Sequence, residues 1–78
     1  MNYCDLINER FLEECVNLGM MEFSSQGYIL RSNELGPELN GCLVLEQQQG
    51  KLKWCDWDNR QQIAKWIYET VINNEDNG

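Results

Sequence analysis

Four cysteine thiols are the most nucleophilic side chains of this sequence, and it contains no histidine that would act as a base beside them. A thiol becomes a nucleophile or a metal ligand as the thiolate, which a nearby cation or a helix N-terminus favours. Cys4 begins a predicted helix but precedes Asp5, and no Cys-x-x-Cys spacing suggests zinc. The pattern favours free structural thiols, no catalysis and no cofactor, with a thiol-based redox protein as an alternative.

A second candidate for chemistry is the run Asp56-Trp57-Asp58-Asn59, which resembles the start of an EF-hand calcium loop. That loop needs glycine at its sixth position and glutamate at its twelfth, and this chain has Gln61 and a hydrophobic residue there. We therefore predict no metal site. Asp58 instead fits the N-cap of a helix, with Gln61 three residues later completing a capping box.

The remaining chemistry is that of carboxylates, since the net charge is −7 from 13 acidic and 6 basic side chains. A negative protein is repelled by phosphate backbones and attracts basic surfaces, so direct nucleic-acid binding is not expected. We predict that an acidic helix face binds a larger protein, whose identity the sequence does not encode. The face comprises Asp5, Glu9 and Glu13 at helical spacing, with Glu14 and Glu22 nearby.

Successive carboxylates of this face would lie about 6 Å apart along a helix, close to the spacing of phosphates. In size, acidity and helix–sheet–helix order the chain is similar to some phage-encoded anti-restriction and anti-CRISPR inhibitors. That similarity implies a nucleic-acid mimic that inhibits a nucleic-acid-handling protein. A separate pattern, residues 11–19 followed by 27–31, resembles the recognition helix and wing of winged-helix regulators and implies a protein-binding domain. The simpler interpretation of the acidic face is a solvated helix surface.

Two helices are expected to position these side chains. Apolar residues at helical spacing predict a first helix over residues 3–18, capped by Asn2 and ended by Gly19. A second helix is predicted over residues 59–73, after Asp58. Between them the sequence predicts two β-hairpins separated by a loop.

Each hairpin is predicted to turn on Gln-Gly, at residues 26–27 and 49–50. These turns place Arg31 opposite Glu22 and Lys53 opposite Glu46. Both charge pairs then lie on one face, which must be the solvent face because buried charges are costly. The other face is predicted to be the core, with Met21, Phe23, Tyr28, Leu30, Leu43, Leu45, Leu52 and Trp54.

The predicted fold class is α+β: two layers in the order α-β-β-β-β-α, with a four-stranded antiparallel sheet and both helices on one face. The opposite sheet face is then open and forms a second candidate surface. It would carry a homodimer contact of a self-associating structural or accessory subunit, unless Trp57 folds back onto its own chain. Its members are Ile29, Arg31, Val44, Lys53, Cys55 and Trp57.

The sequence predicts one small domain over residues 1–73 and a flexible tail over residues 74–78. The hydrophobic fraction of 42% is too high for a disordered chain. Because no signal peptide or apolar span is recognisable, we expect a cytoplasmic protein with no membrane partner.

Overall fold

Four antiparallel strands form a single sheet in the computed structural model, which describes residues 2–77. The strands follow one another in space in the order β1-β2-β3-β4. A 3-10 helix (Tyr3–Asp5) and helix α1 (Glu9–Asn17) precede the sheet, and helix α2 (Arg60–Asn77) follows it. The predicted α+β class is confirmed. The strands are β1 (Met21–Phe23), β2 (Gly27–Leu30), β3 (Leu43–Gln48) and β4 (Lys51–Trp54).

One buried cluster joins both helices to one face of the sheet. Leu12 of α1, Leu30 and Leu45 of the sheet, and Ile63 and Ile67 of α2 are all almost fully enclosed. Apolar burial of this kind contributes about 25 cal/mol per Å² and is the main stabilising term of a small domain.

The N-terminal segment is broken where the sequence predicts one continuous helix. Asn8 has an extended backbone (φ −135°, ψ −177°), and its side-chain oxygen accepts a hydrogen bond from the Phe11 N–H at 3.3 Å. Asn2 caps the preceding 3-10 helix in the same way, through Cys4. Asparagine side chains compete with helical backbone hydrogen bonds, so a second cap inside the apolar pattern starts a new helix. Asp5 therefore lies outside α1.

Helix α1 ends at the glycine that the sequence predicts. Gly19 has φ 79°, and its N–H donates to Val16 O at 3.0 Å. The next N–H, of Met20, donates to Cys15 O at 2.9 Å. These two bonds form a Schellman motif, which satisfies carbonyl groups that the helix end leaves free.

The register of the first hairpin differs from the prediction by two residues. Met21 pairs with Leu30, and the turn is Ser25-Gln26. It forms there because Ser24 and Gly27 exchange backbone hydrogen bonds of 2.7 and 3.2 Å, and the Ser24 hydroxyl accepts from the N–H of Gln26 and from the same Gly27 N–H. A shift of two keeps every side chain on its predicted face.

The predicted charge pair of this hairpin forms across a diagonal. Ile29, and not Arg31, lies opposite Glu22. The Arg31 Nε still donates to Glu22 Oε2 at 2.8 Å, because diagonal neighbours are within reach of long side chains.

The second hairpin has the predicted register and turn. Gln49 (φ 51°) and Gly50 (φ 79°) both adopt the left-handed conformation, and Glu46 lies opposite Lys53. The Glu46 carboxylate accepts a hydrogen bond from the Gln48 side chain, however. Among residues 2–77 the ion pairs are Arg10–Glu75 and Arg31–Glu22, so the expected Glu46–Lys53 contact is absent there.

Strand β3 contains a β-bulge at Val44, and the predicted position of this side chain on the open sheet face is wrong. Tyr28 pairs with Leu45, but Ile29 pairs with Leu43, which leaves Val44 as an extra residue of β3. A bulge brings two successive side chains towards one face. Val44 and Leu45 are each 1% exposed, so Val44 belongs to the core and not to the open sheet face.

Helix α2 also differs from its prediction at both ends. Asp56, and not Asp58, accepts the hydrogen bond of the Asn59 N–H, at 3.2 Å. The helix continues to Asn77, beyond the predicted end and through most of the segment predicted as a tail; Gly78 lies outside the described residues. An ion pair between Arg10 and Glu75 connects this last part of α2 to α1.

Gly27 is expected to be the least replaceable glycine of the sheet. It has φ 150°, and a Cβ atom there would lie 2.1 Å from Leu45 O. Gly27→Ala should therefore lower the free energy of unfolding by about 2–4 kcal/mol, measured by urea denaturation. Gly50→Ala is the matched control, since its φ is 79° but its Cβ would meet nothing within 4 Å.

The Gly50→Ala variant should lose about 1 kcal/mol, because it introduces backbone strain without a clash. Equal losses in the two variants would contradict a close approach of β2 to β3 at Gly27.

Candidate binding site

A pocket of about 370 Å³ opens between one side of α1 and the sheet. Helix α1 contributes side chains one turn apart, and strands β1, β2 and β3 contribute one side chain each. Its walls combine carboxylate, amide and aromatic groups. We call it the acidic–aromatic pocket; it is lined by Glu9, Glu13, Val16, Asn17, Phe23, Tyr28 and Gln47.

The negative charges of the two carboxylates in the pocket are hardly balanced by other groups of the protein. Glu9 Oε1 accepts a hydrogen bond of 2.7 Å from Gln47 Nε2, which joins α1 to β3. Glu13 makes no side-chain hydrogen bond or ion pair within residues 2–77. Both side chains are exposed, so the mouth of the pocket is negative.

An exposed aromatic ring faces these carboxylates. Phe23 lies on the predicted core face but is 54% exposed, at the end of the short edge strand β1. Its ring centroid is 4.9 Å from that of Tyr28, with the rings tilted by 53°. The pair forms an apolar wall on which a ligand can pack.

Tyr28 contributes a hydroxyl group without a protein partner. The residue is 4% exposed, and its hydroxyl makes no hydrogen bond in the described part of the chain. No fully enclosed side-chain oxygen or nitrogen there lacks a partner, so this hydroxyl must open to solvent, and the pocket is where it does so. Burial, and then the charges of Glu9 and Glu13, raise the pKa of Tyr28 above its ordinary value.

The other predicted acidic residues lie elsewhere. Asp5 is on the 3-10 helix, before the break at Asn8. Glu14 is half-buried and does not line the pocket, and Glu22 pairs with Arg31. The predicted acidic row is therefore shortened to Glu9 and Glu13, one helical turn apart.

Sequence reasoning missed Phe23, Tyr28 and Gln47 as site residues. The alternating pattern assigns the two aromatic residues to the core, which is correct for Tyr28. Their role at the pocket depends on where α1 lies across the sheet. One signal in the sequence could have identified Phe23 as exposed. It lies next to a turn, where the end of a strand is less covered by the core.

The open sheet face loses Val44 to the core and gains Leu43, which was predicted as a core residue but pairs with Ile29 and is half-buried. Arg31, Lys53 and Cys55 are exposed and Ile29 is half-buried. Trp57 lies in the turn before α2 and is 66% exposed, with the Arg60 guanidinium 3.6 Å from its ring centroid. Arg60 covers one side of the indole by a cation–π contact, and the rest of the ring faces solvent.

Three of the four cysteine thiols have raised pKa values. All four cysteines are free. Burial, together with the neighbouring Glu14, raises the pKa of Cys15 to about 12. Burial also raises the pKa of Cys4 and of Cys55. Protonated thiols are poor nucleophiles, which weakens the redox alternative.

Comparison of the chain with models of known protein families, with curated proteins and with solved structures finds no match. Within the described residues, no group of three or more His, Cys, Asp or Glu side chains is placed to hold a metal ion. Within residues 2–77, no helix combines the length and the apolar composition that are needed to cross a lipid bilayer. The acidic–aromatic pocket and the surface around Trp57 are the candidate sites.

Thiol labelling should separate the cysteines by burial. With a disulfide reagent at about pH 8, exposed Cys42 should react within minutes, and buried Cys15 should react after urea is added. Mass spectrometry of digested samples locates each label. Rapid labelling of native Cys15 would contradict both its burial and its raised pKa. A variant with both Cys42→Ser and Cys55→Ser controls for the fast phase, because Cys55 is also exposed.

Proposed function

We propose that this protein is a small, non-catalytic interaction module that binds a larger, basic protein through the acidic–aromatic pocket. The observation that carries the proposal is the uncompensated negative charge of Glu9 and Glu13 beside the exposed ring of Phe23. Aromatic anchors surrounded by polar groups are typical energetic centres of protein interfaces. The net charge of −7 supports it further, because such a field accelerates encounter with a positive partner.

A nucleic-acid-handling protein fits this chemistry, because its phosphate-binding surface is basic. Occupation of that surface by the acidic side of α1 would inhibit it. A long mimic of a phosphate backbone receives less support, since the break at Asn8 separates Asp5 from Glu9 and Glu13. The proposed contact is therefore a local acidic and aromatic docking site.

Charge reversal at the pocket tests this function. The partner is captured from the host on the tagged protein and purified, and its affinity is measured at about 50 mM and about 500 mM salt. We expect affinity to fall at least about tenfold over this range, and Glu9→Lys with Glu13→Lys to lower it by about 100-fold or more.

The control carries the same change of charge on α2, as Glu69→Lys with Asp76→Lys, both at exposed positions. This variant should lose less than about fivefold, because its charges act at a distance. Equal losses in the two double variants, or no dependence on salt, would contradict binding through the pocket.

Self-association is the second candidate function, and the exposure of Trp57 favours it. This indole is 66% exposed, the largest exposure among the large hydrophobic side chains described. Trp is a frequent anchor of interfaces, and a second copy would cover the remaining side of the ring. With Val44 in the core, the apolar residues of this face are Ile29, Leu43 and Cys55.

Sedimentation velocity at micromolar concentration tests self-association. The wild type should sediment as a dimer and Trp57→Ala as a monomer. The control is Leu18→Ala, which removes an exposed apolar side chain (38% exposed) outside this face and should leave the dimer intact. A wild-type monomer would contradict this second function.

A further inference from the structure

We infer that the acidic–aromatic pocket receives a single arginine side chain of the partner, an assignment that rests on the proposed function and specifies its ligand. A pocket near the lower end of the volume range for ligand sites suits one side chain better than a helix or a strand. Its mouth is open, so the backbone of the partner can stay outside.

The apolar wall matches the aliphatic and planar parts of arginine. Val16 is half-buried and Phe23 is 54% exposed, so methylene groups of a ligand have surface on which to pack. More than half of Phe23 is exposed, and an exposed aromatic ring is a surface on which a guanidinium group stacks. A compact, strongly hydrated ammonium gains less from such a surface.

The acceptors match the donors of a guanidinium group. Glu13 offers both carboxylate oxygens, and Glu9 offers the one that Gln47 does not occupy. A guanidinium has five N–H donors in a fixed planar arrangement, so it can bond to two carboxylates at once. Glu9 and Glu13 lie one helical turn apart, about 6 Å along the axis, on the same wall of the pocket.

The Tyr28 hydroxyl offers a ligand a further acceptor at the pocket. The residue is 4% exposed, and its oxygen, which has no partner among residues 2–77, is open to solvent at the pocket. A ligand that fills the pocket displaces the water around this oxygen and must replace its hydrogen bond. A ligand N–H in the pocket would give this oxygen the partner that the fold does not supply.

Three short peptides test the assignment on the full-length protein. Acetylated and amidated Gly-Arg-Gly, the same peptide with citrulline, and the same with lysine are titrated into the ¹⁵N-labelled protein, and amide shifts are followed by NMR. We expect the arginine peptide to shift the amides of Asn17, Phe23 and Tyr28. The citrulline peptide, which keeps the shape without the charge, should bind at least about tenfold more weakly, and lysine about threefold more weakly.

Adjacent glutamates provide a matched pair of variants. Glu13→Gln removes a carboxylate that lines the pocket, and Glu14→Gln removes the same charge from the next residue of α1, outside the pocket. Glu13→Gln and Phe23→Ala should each weaken the arginine peptide about fivefold, and Glu14→Gln less than twofold. Both lining residues are exposed, so these variants should fold.

Any of three results would overturn the arginine assignment. These are the absence of amide shifts in the pocket, equal binding of the citrulline or lysine peptide, and equal effects of Glu13→Gln and Glu14→Gln. The outcome is separable from that of the proposed function. Salt-sensitive capture of a partner without peptide binding retains the function and rejects this inference. Peptide binding without such a partner supports the inference and rejects the function.

Discussion

The hydrogen bond from the Phe11 N–H to the Asn8 side chain sets the position of α1, on which the rest of the structure depends. It starts the helix at Glu9, so Phe11, Leu12 and Cys15 enter the core together. A cap of this kind contributes about 1 kcal/mol. This modest energy distinguishes one continuous helix from the observed 3-10 helix followed by α1. This start also fixes the rotation of α1 about its own axis. Glu9 and Glu13 therefore lie beside the edge of the sheet.

The fold class and the two faces of the sheet, except at the bulge in β3, could be predicted because alternation of apolar and polar residues has a period of two. The second hairpin was also predictable, because its two-residue turn requires a left-handed backbone and the glycine of Gln49-Gly50 adopts that conformation readily. The first hairpin was not, because the Ser24 hydroxyl stabilises a turn one residue earlier than Gln26-Gly27. Shifts of two residues leave the pattern of faces unchanged, so that pattern cannot detect them.

The missed features of the site have a common physical origin. Asn2 and Asn8 are equally good caps by type, and the apolar pattern around them does not indicate that both are used. The bulge at Val44 depends on pairing between strands far apart in sequence. Glu9 and Glu13 were predicted from their charge and spacing. Phe23 and Tyr28 join them because a three-residue edge strand leaves the aromatic pair at the margin of the core.

The hydrogen bond between Gln47 and Glu9 gives the two carboxylates of the pocket different freedom. Glu9 is restrained by its hydrogen bond to β3, whereas Glu13 makes no such bond within residues 2–77. A restrained group loses little entropy when a ligand arrives, and a free one adjusts to the geometry of that ligand. The pocket is thus preorganised on one side and adaptable on the other, a combination that would suit a charged group approaching from more than one direction.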